Sequence, residues 1–165
     1  MKRIAHAAGT VFGIGYLRPA PGTWGSLAAL PLAWGLHQAG GFPVLIMGTA
    51  AVFILGVWAT IQLTEDSDDH DPSHIVIDEV AGQCVALLPL SSAADRMGIE
   101  ITALWPGWIA AFLLFRLFDI AKPGPVGWAD RRADPLGVML DDVIAGAFAA
   151  IGVLALAYIA HGLLA

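Results

Sequence analysis

Residues 42–64 read FPVLIMGTAAVFILGVWATIQLT, from Phe42 to Thr64, without one Asp, Glu, Lys or Arg. A helix needs about 20 predominantly apolar residues to cross a hydrocarbon core, and this stretch exceeds that. Two further apolar stretches, residues 99–118 and 143–165, reach the same length. Two shorter ones, 26–37 and 80–90, each lie beside a small-residue turn, at 38–41 and 91–98. Pairing each short stretch with its long neighbour gives two helical hairpins, and 143–165 adds a last helix. Pro31 predicts a kink in the first stretch, and the third lengthens if it starts at Asp78. The expectation is an all-α, integral membrane bundle of about five helices, two of them short, forming a single domain over residues 1–165.

Composition agrees. The chain is 58% hydrophobic and 13% charged, with a mean hydropathy of +0.73, whereas a soluble domain carries about 25% charged residues. An unusually apolar soluble bundle is the other class that fits. The net charge of −6 argues against a nucleic-acid partner, which calls for a basic patch. Cys84 is the single cysteine, so neither an internal disulfide nor a thiolate metal site is available. Lys2 and Arg3 are not followed by a long apolar run, so no cleavable signal peptide is expected.

The hairpins put three polar stretches, 1–25, 65–78 and 119–142, on one side of the membrane. Lys2, Arg3, Arg18, Lys122, Arg131 and Arg132 fall in them, Arg116 lies one turn before the third, and only Arg96 falls opposite. The positive-inside rule makes that side cytoplasmic. The acidic residues gather there too, with only Asp95 and Glu100 opposite. Acids orient helices weakly, so their gathering points to chemistry.

Asp78-Glu79 enters one apolar helix and Asp141-Asp142 enters another. Compensation of the helix dipole explains a single acid at such a position. Asp119 closes a helix, where an acid opposes the dipole. Asp78 and Asp142 each stand four residues before a glycine, Gly82 and Gly146; one helical turn puts acid and glycine on one face, where the glycine admits a close backbone. Carboxylates about 4 Å apart repel by about 4 kcal/mol at an effective dielectric near 20. Asp78, Glu79, Asp119, Asp141 and Asp142 together therefore call for a cation, and oxygen-only ligation with room for water and phosphate suits Mg²⁺. Zinc is disfavoured: His70 and His74 are four apart, but Pro72 between them breaks a shared helical face.

In the acidic run at 65–72, His70 and Asp71 lie nearest Asp78 and are the candidate acid–base residues. Arg116, Asp119 and Lys122 are three apart and stack on one face if the helix runs that far. Arg116 and Lys122 are the candidates for stabilising phosphoryl charge. The loop from Gly13 to Ser26 is not a Walker A loop, yet glycine-rich backbone before a helix N-terminus binds anions. Thr23 and Ser26 there, with Arg18 and Arg131 in Pro- and Gly-flanked loops, are candidate substrate-binding residues. Ser26 equally suits a helix cap, and Trp24 and Trp128 suit interface anchors. No arginine stands six positions after Cys84, no Asp-x-Asp precedes a strand, and the histidine-rich signature of vanadium-type phosphatases is missing. Metal-activated water is what remains as the attacking group.

Taken together, Gly13-x-Gly15, Pro21-Gly22-Thr23-Trp24-Gly25-Ser26, His70-Asp71, Ile75-Val76-Ile77-Asp78-Glu79, Phe115-Arg116-Leu117-Phe118-Asp119, Lys122-Pro123-x-Pro125, Asp130-Arg131 and Asp141-Asp142-x-x-Ala145-Gly146 resemble the phosphatidylglycerophosphatase A family. The match runs in order along nearly the whole chain. The resemblance implies a bacterial inner-membrane, Mg²⁺-dependent enzyme that takes the terminal phosphate from phosphatidylglycerophosphate to give phosphatidylglycerol. The family's soluble relatives share the helical pattern. The alternative from another class is a membrane transporter for a cation, whose acids belong at the bilayer midplane rather than at helix ends. Oligomeric state is left open.

Overall fold

The computed structural model describes residues 1–65, 72–132 and 134–164. It is helical, with no strand among the described residues. In chain order, α1 (Lys2–Gly9) is followed by a 3₁₀ turn (Ile14–Tyr16), α2 (Pro21–Thr64), α3 (Ile77–Met97), a second 3₁₀ turn (Ile101–Leu104), α4 (Trp105–Ala121), α5 (Pro125–Asp130) and α6 (Pro135–Leu164).

α2 is two arms rather than one rod. Gly41 takes φ 67°, ψ −153°, a conformation open to glycine alone, and the chain folds back there so that Gly48 packs on Leu36. The second arm starts at Phe42, whose N–H donates to Asp95 Oδ2 at 2.7 Å. Asp95, one of the two acids on the far side, thus caps a helix from another part of the chain. Pro43 in the following turn removes a donor that has no intrahelical acceptor. Pro31, by contrast, does not interrupt the helical backbone of the first arm.

With α2 divided, the bundle has five arms, and these are the five apolar stretches. The first and third run well beyond their apolar residues. α3 extends through Ser91–Met97, read above as a turn, and stops only at left-handed Gly98, φ 64°. The reason is tertiary: α3 is the central helix, packed by α2, α4 and α6. Its inner positions (Gly82, Gln83, Ser91 and Ala94 among them) are small or polar yet buried. α6 begins at Pro135 rather than at Val143, because Asp134 accepts from Gly137 N at 2.6 Å and Pro135 suits the first helical position. α1 and α5, absent from the apolar pattern, are short helices in the polar stretches.

The outer surfaces of α2, α4 and α6 are apolar: Met47, Ile54, Leu113, Leu117, Ile151 and Leu154 are all exposed. Large side chains in such numbers on the outside suit lipid, not water. Three helical segments, Pro21–Thr64, Ile101–Ala121 and Pro135–Ala160, are long and apolar enough to cross a membrane.

Candidate active site

The site is built where α3 enters the bundle. Val76 N donates to Gly9 O at 2.9 Å, tying this entry to α1. His6 Nε2 and Tyr16 Oη are 2.7 Å apart, and the Tyr16 ring stacks on His74 with centroids 5.4 Å apart. Any side chain at Gly15 would collide with the His74 carbonyl oxygen. These contacts fix the backbone leading into Ile77, and with it the first turn that carries Asp78 and Glu79.

α6 then crosses α3 at two glycines. A Cβ at Gly82 would stand 2.5 Å from the Asp142 carbonyl oxygen, and one at Gly146 would overlap the Gly82 carbonyl oxygen. The two Asp-x-x-x-Gly segments therefore lie against each other, each glycine admitting the other helix. That crossing delivers Asp142 onto Asp78 and Glu79, with one oxygen from each carboxylate within 4.8 Å of the others. Asp78 and Asp142 are buried. Glu79 Oε2 and Asp142 Oδ1 are enclosed and have no hydrogen-bond partner. Mutually repelling, undersatisfied carboxylates in a closed site are costly without a cation. The donor set, all carboxylate oxygen, fits a hard divalent ion such as Mg²⁺.

Around this trio stand the remaining groups. Arg116 pairs with Asp119 one turn along α4, and its Nη1 lies 3.4 Å from Ser26 Oγ. Arg116 Nε is buried without a partner. Gly22, in the first turn of α2, lies so close that a Cβ there would overlap Glu79 Oε1 and stand 3.1 Å from Arg116 Nη1. The Asp119 charge acts on both Glu79 and Asp142. α4 stops at Ala121 with Lys122 as its left-handed cap, so the helix does not run far enough for Lys122 to stack on Arg116 and Asp119. Lys122 Nζ pairs with Asp130 and reaches Asp141 Oδ2 at 3.1 Å. Partial burial works against its charge, but the Asp130 and Asp141 carboxylates outweigh it and hold the ammonium above the ordinary lysine range.

The five candidate metal ligands are thus divided. Asp78, Glu79 and Asp142 gather, Asp119 stands close enough for its charge to act on Glu79 and Asp142, and Asp141 turns to Lys122, with its Oδ1 accepting from Asp142 N at 2.9 Å. Of the substrate-binding candidates, Ser26 is buried against Arg116 and Thr23 is half-buried one turn before it. Ser26 does not cap α2: it lies inside the helix, where its hydroxyl donates to Gly22 O at 2.8 Å. Arg18 and Arg131 are exposed. His70 and Asp71 lie outside the described residues. Gln83, not among the candidates, sits one turn after Glu79, fully buried with both amide atoms unpartnered. A lone amide inside the apolar stretch 80–90 was its only signal.

A helical bundle with an apolar outer girdle, and with a carboxylate trio beside a guanidinium, formed where the first turn of α3 meets α6 two turns after its start, defines a membrane-associated enzyme of the acid-centred class. The chain belongs to the phosphatidylglycerophosphatase A family, whose model matches residues 7–157. It is 38% identical over 154 residues to phosphatidylglycerophosphatase A of Haemophilus influenzae, covering 93% of this chain and 88% of that one. It is 35% identical over 154 residues to phosphatidylglycerophosphatase A of Escherichia coli, covering 88% and 78%. A protein of Bacteroides thetaiotaomicron, provisionally named a phosphatidylinositol-3-phosphatase, is 39% identical over 144 residues, 85% of each chain. No solved structure matches the chain.

Proposed function

We propose that the chain hydrolyses the terminal phosphate monoester of phosphatidylglycerophosphate, yielding phosphatidylglycerol and inorganic phosphate, with Mg²⁺ held by Asp78, Glu79 and Asp142. The carrying observation is the carboxylate trio, with Asp78 and Asp142 buried and Glu79 half-buried, in which Glu79 Oε2 and Asp142 Oδ1 lack partners; family membership supports the substrate. Nothing favours the cation-transporter alternative: Asp78 and Glu79 occupy the first turn of their helix, not its middle.

A bound Mg²⁺ supplies polarisation of the phosphate ester and acidification of water. Arg116 offers donors to the phosphoryl oxygens, and its pairing with Asp119 fixes the guanidinium before substrate arrives. Lys122, charged throughout the physiological range, neutralises Asp141 and adds positive potential behind the phosphate. His70 or Asp71 exchanges the proton with the attacking water or the departing alkoxide. Arg18 and Arg131, together with Thr23 and Ser26, hold the second phosphate and the glycerol backbone.

The test is phosphate release by purified protein from the lipid in mixed micelles. Activity is expected to vanish in excess chelator and return with Mg²⁺; full activity in chelator contradicts the metal assignment. Under the same conditions Arg116→Ala and Lys122→Ala are expected to lower turnover more than apparent affinity. Arg18→Ala and Arg131→Ala are expected mainly to raise the Michaelis constant, by about 1–3 kcal/mol each. If all four shift only the Michaelis constant, these residues recruit anionic lipid and nothing more.

We place the protein in the bacterial inner membrane with this site facing the cytoplasm, from the basic-residue asymmetry. In a Cys84→Ala background, Ser73→Cys is expected to react with a membrane-impermeant thiol reagent only from the cytoplasmic side. Labelling from the outside alone reverses the orientation.

A further inference from the structure

The first arm of α2 and α4 run antiparallel, and their shared seam leaves the carboxylate site at the contact between Ser26 and Arg116. On α2, Ser26, Leu30 and Trp34 follow at four-residue spacing; on α4, Arg116, Phe112 and Trp108 do the same in the opposite direction. Such spacing keeps each set on one helix face. Eight residues along either helix is about 12 Å. At that distance the seam widens into a groove of about 380 Å³ lined by Leu30, Pro31, Trp34, Thr102, Trp105 and Trp108. The Trp108 indole N–H is already satisfied by Ile101 O at 3.0 Å, and the other polar side-chain groups in the lining are the Thr102 hydroxyl and the indole N–H groups of Trp34 and Trp105, all neutral. Trp34 and Trp105 face outward, on segments long and apolar enough to span a membrane.

We propose that this groove binds an acyl chain of the lipid substrate whose head group occupies the carboxylate site. The inference rests on the lipid-phosphatase reading above. Half of a hydrocarbon core is about 15 Å deep. A chain hanging from a glycerol held near Ser26 and Arg116 therefore passes a groove about 12 Å below it. The apolar lining matches such a chain and offers no site for a charged ligand. Continuity along the two helix faces ties the groove to the site, and its open side faces the bilayer from which the lipid arrives.

The test compares kcat/KM for phosphatidylglycerophosphate with two long acyl chains against the dihexanoyl form. Leu30→Trp, which fills the groove, is expected to lower the long-chain to short-chain ratio by about tenfold, roughly what burial of one or two methylenes is worth. Ile151→Ala, on the outer face of α6, serves as the control and is expected to leave that ratio alone. An unchanged ratio in Leu30→Trp, or an equal change in Ile151→Ala, overturns the proposal. Independently of whether Leu30→Trp folds, a long-chain substrate with a photoreactive chain end is expected to label residues 30–34 and 102–108 of the unaltered protein. Excess substrate, but not phosphatidylcholine, is expected to compete that labelling away. Labelling spread over the outer surface, or crosslinking between copies through Trp105→Cys, overturns it as well. Absence of phosphate release from either lipid by the unaltered protein removes the phosphatase reading itself, whereas release with an unchanged ratio removes only the groove.

Discussion

Asp142→Asn and Glu79→Gln are each expected to lower phosphate release by about 10³-fold or more, which is about 4 kcal/mol in the barrier, while leaving thermal stability in chelator unchanged or raised. Both effects follow from the same geometry. Each substitution keeps volume and removes one charge from a trio whose oxygens lie within 4.8 Å of one another. Without a cation the trio repels itself, so losing one charge relieves the fold. With a cation, the lost charge weakens the ion that activates the reaction. Turnover in mixed micelles and thermal unfolding followed by circular dichroism measure the two effects. Were the acids there for structure, the variants would unfold earlier and retain activity once folded.

Gly146→Val is expected to cost about 1–3 kcal/mol of stability by overpacking and about 10²-fold in turnover through misplacement of the acids. The new side chain has no room: even its Cβ would overlap the Gly82 carbonyl oxygen, with Val85 Cβ only 3.1 Å away on another side. α6 must therefore lift from α3 at the point where Asp142 meets Asp78 and Glu79. Gly35→Ala is the matched control. Apart from its chain neighbours and its own helix backbone, nothing lies within 4 Å of a Cβ there, so neither stability nor turnover should fall. Comparable damage from both substitutions would mean that the α3–α6 approach does not position the site.

Much of this arrangement was legible in residue order. The charge-free run 42–64 fixed a membrane-length helix, Gly41 marked the reversal before it, and the paired Asp-x-x-x-Gly segments indicated where two helices approach. Periodicity alone could not place α3 at the centre, because its buried small and polar residues mimic an exposed or broken segment. Nor could it separate Asp141 from Asp142. Adjacent helical residues point about 100° apart, so which of them faces α3 depended on where α6 crosses. Asp95 looked like a stray acid because its role, capping the second arm of α2, depends on a contact 53 positions away in sequence. Gln83 was hidden for the reverse reason, since nothing beside it in sequence signals an unpartnered amide.

The most direct test of the carboxylate trio as a cation site needs no substrate. Mn²⁺, a close substitute for Mg²⁺ at oxygen sites, is titrated into the purified protein and its free signal followed by electron paramagnetic resonance. The unaltered protein is expected to remove Mn²⁺ from solution, with Mg²⁺ competing. Asp142→Asn and Glu79→Gln are expected to bind it at least tenfold more weakly, a loss of about 1.4 kcal/mol, with the helical circular dichroism unchanged. Equal Mn²⁺ binding by all three folded proteins would contradict the assignment of Asp78, Glu79 and Asp142 as the metal centre.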